Sequence, residues 1–158
     1  MDTKNDLLIS KMERARERLN SVLDQVAPQA ELYPTWKLKQ VYDHIAGWDE
    51  LVVATLHSFL QGESQPPAVI HGISRFNAAS VKAHQGLSVD QSRQSYASAR
   101  QQVLELLRQV PPEKLAQKFT APWGGLCSVN GIVKIFCSHE QEHATQIEEA
   151  LKSSTARS

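Results

Sequence analysis

Two histidines one helical turn apart are the first residues in this chain whose spacing suggests chemistry: His139-Glu140-Gln141-Glu142-His143, within "CSHEQEHATQIEEALK" at 137–152. The run satisfies the zinc-binding pattern H-E-x-x-H and, read the other way, H-x-x-E-H. Ile132, Ile135 and Ile147 stand at steps of three and four from these histidines, so both imidazoles face the interior that the helix packs against. Two neutral imidazoles on an apolar face need partners. The spacing alone leaves two readings open, a divalent cation that accepts both lone pairs or a satisfied polar pair. Glu140 and Glu142 flank the ligand direction by roughly 80° on either side, since successive residues turn by about 100°. Each is a candidate general base or ligand-orienting group, weighed against plain solvated helix surface.

A third ligand candidate is His44, in "WKLKQVYDHIAGWDELV" on the shoulder of an apolar stripe with Val41, Trp48 and Leu51. It lies roughly 14 Å from the start of its helix, and the His139/His143 pair lies roughly 16 Å from the end of theirs, at about 1.5 Å per residue. Antiparallel packing of the two helices would bring the three together, and parallel packing would leave them several Å out of level. His57 is rotated by about 220° from His44 and is expected at an exposed or helix-end position. His71 and His84 fall in a connection and are expected at the surface.

A protease is not expected from this pattern. Zincins take a third ligand well downstream, but no histidine follows His143, and Gln146 stands where the extended motif requires glycine. No convincing strand offers an edge against which a peptide substrate would lie. Cys127 precedes the last helix and reads as a helix-start packing residue, and Cys137, off the histidine face, reads as core filler.

The elements that must position these residues are helices. Leu8, Met12, Ala15, Leu19, Val22 and Val26 draw one stripe, with Thr3 and Asp6 as a start signal and Pro28 as a stop. A second stripe runs through Val41, Ile45, Trp48, Val52, Thr55 and Phe59, with Thr35 as expected N-cap and Gly62 as terminator. A third begins at the capping box Ser88-x-x-Gln91 and runs to Pro111-Pro112; the fourth begins near Ser128. Four amphipathic helices imply an all-α four-helix bundle. The connection 61–87 is long enough for a crossover between helices two and three, and carries a short helical pattern through Ile73, Phe76 and Ser80. Nothing rich in Gly or Ser divides the chain, so 1–158 reads as one domain.

Composition narrows the partners. Lys+Arg and Asp+Glu balance at 17 each without long blocks of either sign, which argues against nucleic acid. No stretch approaches the roughly 18 apolar residues of a membrane span, and two cysteines suit a reducing compartment. A cytoplasmic protein with a small-molecule ligand is expected, and a homodimer is its expected assembly.

The early run "WKLKQVYDHIAGWDE" paired with the late "HEQEHATQI" resembles the DinB-like superfamily, in particular the ClbS/DfsB-type proteins and the N-terminal domain of mycothiol-dependent maleylpyruvate isomerases. The likeness runs through "RFNAASVKAHQGLS" and "LLRQVPPEKL" and so covers nearly the whole chain. It implies an up-down-down-up bundle, and a metal site of His44, His139 and His143 for Zn, Ni or Fe. It also implies an activity class. Members include S-transferases and isomerases that use mycothiol, bacillithiol or glutathione, while the ClbS type protects against a reactive genotoxin. The leading expectation is a metal-dependent thiol S-transferase acting on electrophilic small molecules. The alternative is a metal-independent hydrolase or sequestering resistance protein with a pocket lined by Trp36, Trp48, Asn77 and Trp123. A third reading is an interaction module with a histidine-rich core.

Overall fold

In the computed structural model, which describes residues 1–33 and 36–156, helices α1 (Lys4–Leu23), α2 (Leu38–Leu60), α3 (Ile73–Ala83), α4 (Val89–Gln109) and α5 (Val129–Ala156) account for most of the chain. Both helix-start signals form capping boxes: Thr3 and Asp6 exchange side-chain and backbone hydrogen bonds at the start of α1, and Ser88 and Gln91 do so at α4. α1 ends at Leu23, short of Pro28. The start of α2 differs from the expectation. Thr35 lies outside the described residues, and the helix begins after Lys37, whose backbone N–H donates to Gln40 Oε1 at 2.9 Å.

Among the described residues strands appear as two short ribbons, where the sequence offers no convincing strand. β1 (Glu31–Tyr33) pairs antiparallel with β2 (Trp36–Lys37) in the link before α2. β3 (Phe119–Thr120) pairs antiparallel with β4 (Leu126–Cys127) before α5. The second ribbon turns through Gly124 and Gly125, both at positive φ where a side chain would be strained.

Helix directions follow from which residues meet. Arg100 meets Asp49 and Ser92 meets Asp43, so α2 and α4 run parallel. Asn5 donates to the carbonyls of Leu107 and Val110 while Tyr96 reaches Asn20, so α1 and α4 run antiparallel. His44 meets His143 and Trp48 stacks near His139 and Phe136, so α2 and α5 are antiparallel as well. The bundle is therefore all-α with an up-down-down-up course. Its crossover contains α3, which lies on α2 at Gly47, where a Cβ would come within 2.3 Å of Ser80 Oγ. Among the described residues, no helix is long and apolar enough to cross a membrane.

The apolar core is in two parts. One gathers Met12, Trp48, Leu56, Leu107, Val129 and Ile132; the other gathers Leu19, Val22, Tyr42, Ile45, Ala144 and Ile147. Between them lies a layer of four buried charges, one from each long helix: Arg16, Asp49, Arg100 and Glu140. Arg16 Nη2 bonds Asp49 Oδ2 at 2.7 Å and Glu140 Oε1 at 2.6 Å, while Arg100 Nη2 bonds Asp49 Oδ1 at 3.0 Å and Glu140 Oε1 at 2.5 Å. The Arg16 guanidinium also stacks over the Tyr96 ring at 3.9 Å. Burial works against the charge on Arg16, but Asp49 and Glu140 outweigh it and raise its pKa. The layer is electrically neutral.

Candidate metal centre

His44 is delivered by the second turn of α2, and His139 and His143 by successive turns of α5. His44 is 2% exposed; the other two are half-buried. The structure brings their ε nitrogens together, with His44 Nε2 3.1 Å from His143 Nε2 and His143 Nε2 2.9 Å from His139 Nε2. A neutral imidazole nitrogen carries either a proton or a lone pair, so one Nε2 cannot make two good hydrogen bonds of opposite sense. Three lone pairs aimed at one point suit a cation. His44 Nδ1 is buried without a hydrogen-bond partner among the described residues, and Nε2 is the nitrogen that faces His143. The residues present thus fit a divalent ion held by uncharged nitrogen donors.

The electrostatics agree with neutral ligands. Burial, reinforced by the neighbouring His143 and His139, pushes His44 down to about 3. Burial and His139 push His143 down to about 4, and burial lowers His139. The linkage has a definite sign. In unfolded chain these groups titrate near 6.5, so as pH falls from there towards about 4 the unfolded state binds protons that the folded state refuses. The contribution of these three histidines to the stability of the metal-free protein is complete above about pH 6.5 and declines below it, by up to about 1.4 kcal/mol per pH unit for each histidine. Urea midpoints measured from pH 7 to 5 check this; a flat profile, or one unchanged by the His44→Ala/His143→Ala pair, contradicts it.

Two clefts meet at the histidines. One, of about 370 Å³, is apolar and lined by Trp48, Trp123, Phe136, Ile70, Ile73 and Ile135 with His44, His139 and Asn77. The other, of about 350 Å³, is polar and lined by Trp36, Asn77, Glu142 and Gln146 with all three histidines. Trp48 Nε1–H donates to Asn77 Oδ1 at 2.8 Å, which ties α3 to α2 at the junction. The outer wall of the apolar cleft is composite: the backbone N–H of Ile70 donates to Pro122 O at 2.9 Å and that of Thr120 to Ser64 O at 3.0 Å, joining the crossover to the β3–β4 ribbon.

Several sequence expectations need correction here. Glu140 is not solvated surface: it is 1% exposed, and both its oxygens are engaged by Arg16 and Arg100. Glu142 remains on the polar cleft. His84, expected at the surface, is 8% exposed, with Nδ1 donating to Ser80 O at 2.7 Å and Nε2 facing Glu50 at 3.2 Å. Ile135, placed in the helix stripe by periodicity, is 47% exposed and borders the apolar cleft. His57 and His71 are exposed and Cys127 is buried, in keeping with their sequence readings, whereas Cys137, read as core filler, is half-buried. Sequence reasoning missed the charged layer, although a signal existed. Arg16, Asp49, Arg100 and Glu140 each stand four residues after one core residue and three before another residue of the same face, as Arg16 does between Met12 and Leu19.

The sequence profile of the DinB superfamily matches residues 11–147. Among solved structures, a mycothiol-dependent maleylpyruvate isomerase superposes with a TM-score of 0.76 at 13% identity, over 92% of this chain and 61% of that one. This chain therefore spans about three fifths of the isomerase. An uncharacterised protein from Escherichia coli UTI89 matches with a TM-score of 0.77 at 11% identity, over 98% and 96% of the two chains. DfsB, described as a sibling lethal factor precursor, matches with a TM-score of 0.74 at 14% identity, over 98% of both. No curated protein matches the chain. Likeness at these identities concerns the fold, whereas the profile match spans most of the sequence and includes all three histidines: the chain belongs to the DinB superfamily.

Proposed function

We propose that this protein is a metal-dependent enzyme that joins a low-molecular-weight thiol to an electrophilic small molecule, with His44, His139 and His143 as the metal ligands. The observation that carries this reading is the convergence of three neutral ε nitrogens at the junction of an apolar and a polar cleft. A divalent ion held by uncharged ligands keeps its full charge and would favour a thiolate over a thiol. The chain's own residues supply the rest. Glu142, which lines the polar cleft with His139 and His143, would accept the thiol proton, and the indoles and Asn77 would orient the partner molecule. The isomerase named above uses mycothiol, which supports the reading for a thiol cosubstrate.

Sequestration or hydrolysis without metal is the competing reading, favoured by the size of the apolar cleft, about 370 Å³. The test is thiol titration of Co²⁺-loaded protein, followed by the rate of electrophile conjugation. The visible spectrum is expected to change on addition of glutathione, bacillithiol or mycothiol, and the conjugation rate to saturate with that thiol. An unperturbed spectrum with all three would remove the transferase reading. Consumption of the electrophile by chelator-treated protein would favour the competitor.

A further inference from the structure

The division of labour between the two clefts specifies the electrophile more narrowly than the proposed reaction does. Trp48, Trp123 and Phe136 form an aromatic wall, with ring centroids of Trp48 at 6.4 Å from Trp123 and 6.2 Å from Phe136. Ile70, Ile73 and Ile135 form the mouth, and Ile73 and Ile135 are 62% and 47% exposed, an unusual degree for large apolar side chains that border one opening. Among the described residues, neither cleft is lined by a lysine or arginine, and the one charged side chain between them is the carboxylate of Glu142. Away from the histidine cluster, an anionic ligand would lose its hydration there without gaining a cationic partner from the side chains. The polar contribution of the apolar cleft is small and specific. Asn77 Oδ1 accepts from the Trp48 indole, and the Asn77 amide also lies within hydrogen-bonding reach of His44, so its N–H remains as a donor for a ligand.

We infer that the apolar cleft selects an uncharged, aryl- or alkyl-bearing electrophile with one hydrogen-bond acceptor near its reacting atom, and discriminates against carboxylate-bearing substrates. The apolar body would lie against Trp48, Trp123 and Phe136, and the acceptor would take the Asn77 N–H at the edge of the histidine cluster. The inference rests on the proposed function only in naming the ligand an electrophile. The binding preference itself follows from the lining.

The chain carries its own reporters, because one of its tryptophans, Trp36, lines the polar cleft and the other two, Trp48 and Trp123, line the apolar one. The indole ¹H–¹⁵N signals of metal-free, thiol-free protein, assigned with Trp→Phe variants, are to be followed during titration with neutral 4-phenylbut-3-en-2-one and separately with fumarate. The neutral aryl enone is expected to shift the Trp48 and Trp123 signals saturably while fumarate leaves both in place. Trp123→Ala should weaken enone binding by about tenfold or more. If that variant does not fold, Ile135→Asp, on an exposed helix position, should weaken it as well. Fumarate binding as tightly as the enone, or an enone that moves neither indole, would overturn the inference. Selective enone binding without thiol conjugation would sink the transferase reading and leave this one standing. Conjugation without such selectivity would do the reverse.

Discussion

In protein purified without a polyhistidine tag, replacing His44 with alanine is expected to lower affinity for Zn²⁺ or Co²⁺ by more than about 100-fold, a larger loss than changing an outer-shell partner causes. His44 supplies one side of the cluster, since it comes from α2 while the other two ε nitrogens both come from α5. His139→Ala and His143→Ala are expected to act similarly. His57→Ala, at an exposed position near the end of α2, is expected to leave binding unchanged. Isothermal titration with a competing chelator, alongside circular dichroism to verify folding, gives the comparison. Stoichiometric binding by folded His44→Ala protein with undiminished affinity would remove His44 from the ligand set.

Arg16→Met is expected to cost about 3–5 kcal/mol of stability, because it leaves Asp49 and Glu140 buried with Arg100 as their one remaining cationic partner. For a chain of this size that corresponds to a fall in Tm on the order of 10 °C. The reasoning differs from that for a surface ion pair, whose loss costs little. Here four charges lie at 7%, 0%, 3% and 1% exposure, so removing one strands the others away from water. Replacing all four together, with Met for each arginine and Leu for each acid, is expected to recover most of the lost stability, since no unpaired charge then remains. Chemical denaturation of the two variants measures the contrast. A single variant within about 1 kcal/mol of the parent would mean that solvent reaches the layer and relieves it.

The layer also has a positional consequence. Asp49 follows Trp48 in α2 and Glu140 follows His139 in α5, so the bonds that join the four helices sit one residue away from cleft and ligand positions. A helix that slipped by a turn would break the ion pairs and also carry His44 out of reach of His143. The charges therefore oppose the register errors to which a bundle with two purely apolar core clusters is open.

Much of this protein is determined by local sequence. Apolar residues at steps of three and four dictate the four long helices, because only one face of each can be removed from water. The hydroxyl of Thr3 or Ser88 with an acceptor three residues on sets two of the helix starts, since those groups satisfy backbone donors within one turn. The same periodicity places His139 and His143 on one face, one turn apart. Tertiary structure decided what periodicity could not. The meeting of His44 with that pair depends on α2 and α5 running antiparallel at one level, a relation between residues 99 positions apart. Exposure of Ile135 and burial of His84 depend on where α3 and the β3–β4 ribbon lie against the bundle, which no single helix encodes. Glu140 shows the difference most clearly. On its own helix it looks like a polar residue beside a metal motif, and its burial becomes favourable only when arginines from α1 and α4 arrive together to balance the charge.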